Sequence, residues 1–225
     1  MQEPNLYPSL QKLFLTGREY QFRKGQVLQS SDDTLKFSLV KTGFVKRYLI
    51  ANDGNLSVQS IYGAGDIFPL THIFRVLLEQ EIYQGPEIYY YETITDVVAS
   101  TIDNDILIDA VRDNPMLYRD LLVVAGQRLQ SNIEALENLS LHSAYQRVAQ
   151  LLCVFGRHYG TVLPAGIKID MPLTHLLIAN ILDVTRETVS QGIIQLREKG
   201  LIKTNKHVTI PDIKALEQEA YSPTT

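Results

Sequence analysis

The sequence predicts an α+β chain, with a first half of short strands forming a sandwich or barrel and a helical second half. Three observations carry this. Short β-like runs broken by Gly, Asp and Asn fill the first hundred residues. From Asp103 the apolar spacing changes to steps of three and four. Near the C-terminus, LTHLLIANILDVTRETVSQGIIQLREKGLI reads as two short amphipathic helices around a tight turn.

The strand-like runs are Gln26–Leu28, Lys36–Lys41, Phe44–Ile50, Ser57–Tyr62 and Val97–Ile102. Asn52-Asp53-Gly54-Asn55 lies between two of them and predicts a hairpin turn, because these residues tolerate positive φ. The pattern breaks between Phe68 and Gln84, where Ile73, Val76, Leu77 and Glu79–Ile82 predict a short inserted helix.

Pro115 fits the first turn of a long helix, where a missing N–H costs little. After it, Leu122, Ala125, Leu129, Asn132, Leu136 and Leu139 form a seam of nearly three heptads. Such a seam fits a helix packed on its own domain or a parallel pairing of two copies. Asn132 favours the pairing. A lone seam Asn can bond its symmetry mate, and burying it without a partner would cost about 1–3 kcal/mol. A helix is predicted from Ala144 to Tyr159, then a loop through Gly160, Pro164 and Gly166. Two short helices follow over 174–182 and 185–199, the second stopped by Gly200. Leu201–Lys203, Thr204-Asn205-Lys206 and His207–Ile210 read as strand, turn and strand.

Composition narrows the function. Apolar residues make up 45% of the chain, which excludes global disorder. The opening MQEPNLYPSL has no basic n-region or apolar h-region, so no signal peptide is expected. No apolar run approaches the ~20 residues that span a bilayer, so no membrane partner is expected either. One cysteine, Cys153, excludes an internal disulfide and any one-chain cysteine site for zinc or iron–sulfur. A cytoplasmic protein is expected. Its formal charge is −4, yet 141–225 hold 9 Lys/Arg against 7 Asp/Glu, while 1–140 hold 12 against 18. An acidic front and a mildly basic back fit a sensor joined to a DNA reader.

The helical pair gives that reading its chemistry. Thr174 and Thr185 are placed to cap the two helices. Leu177, Ile178, Ile181 and Leu182 face inward on the first, Val189, Ile193 and Leu196 on the second, and Asp183-Val184 make the turn. Arg186, Glu187, Ser190 and Gln191 then lie on the outer face at the start of the second helix. A helix-turn-helix enters the major groove with that end first. Arg can bond guanine, Glu can accept from cytosine N4 and Gln can bond adenine. Lys203 and Lys206, with Arg197 and Lys199, could neutralise phosphates. An ordinary αα-hairpin with a solvated face would share the spacing.

Leu173-Thr174, Ile178-Ala179, Thr185-Arg186-Glu187-Thr188-Val189-Ser190 and Leu196 with Gly200-Leu201-Ile202 resemble the helix-turn-helix of the CRP/FNR superfamily of bacterial transcription regulators. The resemblance extends more weakly to Phe22–Gln26, Gly43, Gly65-Asp66, Ile102-Asp103, Asn114-Pro115, Arg128–Gln130, and Arg147–Ala149 with Leu151-Leu152. It implies an N-terminal β-roll (jelly-roll-like) sensor domain over 1–110, a dimerisation helix over 111–140 and a winged helix-turn-helix over 141–225. It implies a homodimer on a near-palindromic stretch of double-stranded DNA, with RNA polymerase as a further partner. Thr174, His175, Thr185, Arg186, Glu187, Thr188, Ser190, Gln191, Lys203 and Lys206 become the DNA-binding set. Leu122, Ala125, Leu129, Asn132, Leu136 and Leu139 become the dimer interface. Two positions depart from the family: Asp183 replaces the turn glycine, and Gln191 replaces the arginine after Val-Ser, so the half-site is expected to differ.

The family's ligands fit poorly. Leu70 stands where cAMP-binding relatives carry Glu, the stretch near Gly85-Pro86-Glu87 offers no cation, and Asn132-Ile133 replaces Thr-Ser. No cAMP response is therefore expected. Haem relatives use a Cys/His pair near the position of Thr71-His72, and an isolated His72 is more often a packed residue. No cofactor or metal is expected. Cys153 lies in an apolar run and is expected to be buried and inert. Two readings of the sensor stay open. Tyr83, Tyr89 and Tyr91 with Asn132 could line a pocket for an unknown apolar or aromatic effector, or there is no effector. A cupin-like metalloprotein, or a sensor using the helix-turn-helix for packing or a protein partner, is the alternative function. The scattered histidines His72, His142, His158, His175 and His207 argue against the metalloprotein.

Overall fold

A computed structural model describes residues 7–30, 36–51, 54–70, 72–73, 77, 89–141 and 143–222. The chain divides into two compact units, Met1–Leu49 with Gln59–Ile133 and Ile50–Val58 with Glu134–Thr225. Among the described residues, no helix is long and apolar enough to cross a membrane.

The first half of the chain carries α1 (Pro8–Phe14) and eight strands: β1 (Arg18–Phe22), β2 (Val27–Ser30), β3 (Phe37–Thr42), β4 (Val45–Ile50), β5 (Leu56–Tyr62), β6 (Ile67–Phe68), β7 (Tyr90–Thr93) and β8 (Val97–Ile102). They form two four-stranded sheets, ordered β1-β8-β3-β6 and β2-β7-β4-β5. Non-consecutive strands pair antiparallel, as in β3 with β8 and β4 with β7. The predicted runs lie within a residue or two of observed strands. The spacing left out β1, which pairs with β8 across Arg18↔Thr101 to Phe22↔Val97. Gly43 turns β3 into β4 at φ +86°, where a Cβ would sit 2.1 Å from the Asp96 carbonyl oxygen.

Two cores hold this unit. One gathers Val40, Val45, Tyr62, Phe68, Tyr91 and Val97. The other joins Leu10 and Phe14 of α1 to Phe37, Ile102 and Leu121. Leu70, His72, Ile73 and Leu77 are helical, in line with the inserted helix; the rest of that helix, with Asn52, Asp53, Thr71 and Tyr83, lies outside the described residues.

Two helices follow, α2 (Asn104–Asp113) and α3 (Met116–Leu141), with Pro115 directly before the second. Asp120 of α3 is fully buried, and its Oδ2 accepts from the amides of Ser9 (2.7 Å) and Leu10 (3.0 Å). A carboxylate 110 residues away thus caps the N-terminus of α1.

The second unit contains α4 (Ala144–Tyr159), β9 (Gly160–Leu163), β10 (Gly166–Ile169), α5 (His175–Leu182), α6 (Arg186–Glu198), β11 (Lys203–Thr204), β12 (Val208–Ile210) and α7 (Ile213–Tyr221). Ser143 and Gln146 form a capping box at the start of α4. One sheet, ordered β11-β12-β10-β9, backs the helices. Here the structure corrects the expected loop at Gly160–Gly166. Its flanks pair as a hairpin, because Gly160 approaches the Gly156 carbonyl closely and Ile169 is fully buried. It also adds α7, capped by Asp212, whose Oδ1 accepts from Lys214 (2.9 Å) and Ala215 (3.3 Å). Cys153 is buried as expected, and burial pushes its thiol up to about 12.

Candidate nucleic-acid interface

The two helices of the reading head are set by local chemistry. The Thr174 hydroxyl accepts from the Leu177 amide at 3.1 Å, and the Thr185 hydroxyl from the Thr188 amide at 3.2 Å. Asp183 takes the left-handed conformation (φ 53°, ψ 53°), and the Val184 amide bonds back to the Ala179 carbonyl at 3.1 Å. This is a Schellman closure with Asp in the place of glycine. Gly200 (φ +72°) closes α6 the same way, with Leu201 N–H on the Leu196 carbonyl at 3.0 Å. Arg147 of α4 donates to the Leu182 carbonyl at 2.6 Å, satisfying a carbonyl at the end of α5.

Packing leaves one face of α6 outward. Val189, Ile193 and Leu196 are buried as expected, and Gly192 meets Val148 at ordinary contact distance. Arg186, Glu187 and Gln191 are exposed. The motif does not single out Ile194, yet it is 42% exposed on that same outer stripe. At 100° per residue it falls roughly 20° from Glu187, on the side away from Gln191 and opposite the buried face, and helical phase alone would have found it.

His175 and Ser190 are tied together. The Ser190 hydroxyl donates to the Arg186 carbonyl at 2.9 Å, so His175 Nδ1, 2.8 Å from Ser190 Oγ, must be the donor to it. This bridge links the N-terminal ends of α5 and α6. A cleft of about 170 Å³ next to it is lined by His175, Ile178, Ile193, Asn205, Lys206 and His207.

The charges divide clearly. Lys199 pairs with Glu219 at 2.5 Å, Lys168 with Asp170 at 2.7 Å, and Arg157 with Glu217. Lys199 is therefore spent inside the fold, unlike its expected role beside Arg197. Burial alone would raise the Asp170 carboxyl, but hydrogen bonds from Lys168 and Thr161 hold it below its ordinary range. Among the described residues, Arg186, Arg197, Lys203 and Lys206 have no ion-pair partner.

Residues 146–219 match the family model of the Crp-like helix-turn-helix domain. A CRP-like cAMP-activated global transcriptional regulator of Mycobacterium tuberculosis is 29% identical over 183 residues, covering 81% of this chain and 78% of that protein. Residues 146–219 therefore carry a Crp-like helix-turn-helix domain. The structure of FixK2 from Bradyrhizobium japonicum superposes with a TM-score of 0.74 at 20% identity, covering 90% of this chain and 96% of that one. CooA from Carboxydothermus hydrogenoformans gives 0.72 at 22% identity, covering 98% and 97%. The fold is the one these two structures share, a β-roll followed by a winged helix-turn-helix. The curated proteins it is similar to are named as regulators, among them a global nitrogen regulator of Synechocystis at 26% identity over 172 residues, covering 74% of this chain and 76% of that protein.

The expected dimer and effector residues lie in the first half of the chain and in α3. Leu122 (69%), Leu129 (61%) and Leu136 (67%) are exposed, Asn132 is exposed and Ala125 half-buried; the Leu139 side chain lies outside the described residues. Tyr91 is buried against Tyr62 and Phe68, and burial pushes its hydroxyl well above the ordinary tyrosine value. Tyr89 is half-buried under the Arg47 guanidinium.

Proposed function

We propose that two copies of this regulator pair along Leu122, Ala125, Leu129, Asn132, Leu136 and Leu139 and read a near-palindromic operator. The carrying observation is that Leu122, Leu129 and Leu136 recur every seven residues on α3 and are each exposed by about two thirds. Burying one such side chain is worth about 1.5–3 kcal/mol, so three from each copy supply a large part of a stable pairing. Two-fold symmetry then sets the α6 helices about 34 Å apart, one DNA turn.

Arg186 would read guanine, Glu187 cytosine, Gln191 adenine, and Ile194 the methyl of thymine. Thr174, His175, Thr185, Thr188, Ser190, Lys203 and Lys206 would hold the backbone and fix the register. The functional division follows 1–110, 111–140 and 141–225, with the first segment as the effector-responsive half. The effector proposed is not cAMP: Leu70, which stands where cAMP-binding relatives carry Glu, is buried in the apolar core. The dimer acts in the cytoplasm, where operator occupancy governs RNA polymerase.

Binding-site selection from random duplexes is expected to return an inverted repeat. With that operator, the double variant Leu129→Asp/Leu136→Asp should sediment as a monomer and bind at least about a hundredfold more weakly. Tight binding by a monomeric variant would sink the proposal.

A further inference from the structure

His175 is tied down by one ring nitrogen and presents the other. Its Nδ1 lies 2.8 Å from Ser190 Oγ, and the Ser190 hydroxyl gives its only proton to the Arg186 carbonyl at 2.9 Å. Nδ1 therefore keeps its proton whether the ring is neutral or charged. That decides what Nε2 can do. In the neutral ring Nε2 is an acceptor, and only in the imidazolium does it donate. Nε2 meets no hydrogen-bond partner among the described residues. The ring is half-buried at the N-terminal end of α5 and borders the cleft that Asn205, Lys206 and His207 line from the β11–β12 turn.

The charges around the ring come from three sides. Apart from His175, α5 carries no ionisable side chain, and Asp183 in the turn after it is exposed. The facing turn of α6 brings Arg186 and Glu187, both exposed. Arg147 of α4 sits at the far end of α5, on the Leu182 carbonyl. The β11–β12 turn brings Lys206 and His207, and His207 interacts in turn with the Asp170 carboxylate. No carboxylate bonds the His175 ring among the described residues. A phosphate arriving at Nε2 would meet an acceptor while the ring is neutral. Once the ring is charged, the same approach makes a charge-assisted hydrogen bond.

We propose that His175 clamps the operator backbone only as an imidazolium, so that the Nε2 proton gates operator affinity by pH. This rests on the operator reading, in which His175 holds the backbone. Histidine changes charge between about pH 5 and 8, so the gate works near neutrality. The bound complex holds one more proton per half-site than the free neutral ring, so affinity rises as pH falls. Ser190 is the positioning residue. Without it the neutral ring could carry its single proton on Nε2 and donate at any pH.

The test measures binding of the full chain to the inverted repeat returned by site selection, from about pH 6 to about pH 8.5 at fixed ionic strength. Affinity should fall across that range by at least about tenfold for each half-site, the size of one lost charge-assisted bond. His175→Arg, charged throughout, should bind in the alkaline buffer about as the unaltered chain does in the acidic one. His175→Gln, neutral throughout, should give a flat profile, and Ser190→Ala a shallower one. His207→Gln should leave the profile in place. A second readout needs no DNA: nitrogen-15 spectra in the alkaline buffer should show the His175 ring protonated on Nδ1 alone. The proposal is overturned by an Nε2 proton there, by equal affinity at both ends of the range, or by a profile that survives in His175→Gln or vanishes in His207→Gln. Equal affinity leaves the operator reading standing, whereas a chain that binds no inverted repeat at any pH ends both. The spectra and the profile of the unaltered chain need no variant, so misfolding of a variant cannot rescue the idea.

Discussion

The reading head and the first unit place differently the cations that lack an ion pair. In the head, folding pairs Lys199, Lys168 and Arg157 with carboxylates and, among the described residues, leaves Arg186, Arg197, Lys203 and Lys206 without an ion pair. In the first unit, Lys41 and Lys46 are likewise paired, with Glu19 and Glu92, while Arg47 of β4 and Arg128 of α3 lie against tyrosine rings. The first arrangement suits a long polyanion that arrives from outside, and in the second the rings themselves face the cations. A formal charge of −4 predicts neither. What a region can bind is better read from the charges that folding leaves unmatched.

The contrast breaks most sharply at two leucines. Leu196 is fully buried under the reading helix, whereas Leu122 on α3 is 69% exposed. Leu196→Ala should cost about 2–5 kcal/mol of stability by denaturant unfolding and weaken operator binding as the scaffold loosens. Leu122→Ala should leave unfolding of the dilute, unpaired chain nearly unchanged and instead raise the concentration needed for pairing, read by sedimentation. Equal losses of intrinsic stability would mean that α3 buries Leu122 within one chain.

A smaller effect is expected within the outer stripe of α6. Gln191 is exposed there. Gln191→Arg should change preference at one position of each half-site by about 1–3 kcal/mol, without altering stability. Identical motifs selected by both proteins would remove Gln191 from the base-reading set.

The head was more legible than the roll because its signals are local. Thr174, Thr185, Asp183 and Gly200 each act on amides or carbonyls within five residues. Strand runs were visible in the roll, but its sheet order depends on partners far away in sequence, such as β1 with β8. The α1 helix could not be read locally, because it is seven residues long, its Tyr7 side chain offers no cap, and Asp120 supplies one from α3. The aromatic cluster was half visible: Tyr89 and Tyr91 stood out as a run, while Arg47 met them only once β4 and β7 paired. The α7 helix did have a local signal, Pro211-Asp212 before the apolar steps Ile213, Leu216 and Ala220.

The smallest expected effect tests whether the pairing inside the head is structural. Lys199 is the C-cap of α6, and Glu219 of α7 accepts from both Lys199 and the Tyr145 hydroxyl. The hydrogen bond from Lys199 holds the Glu219 carboxyl below its ordinary value of 4.5. A carboxyl lowered in the folded state adds stability above its unfolded value, and that stability fades as pH falls through the folded value. Glu219→Gln should therefore lower Tm near neutrality, and the gap should close in acid below the ordinary carboxylate range. Because Lys199 is half exposed, the effect should stay below about 1 kcal/mol. A gap that persists unchanged into acid would show that Glu219 acts by packing, and that the end of the reading helix is fixed without the charge.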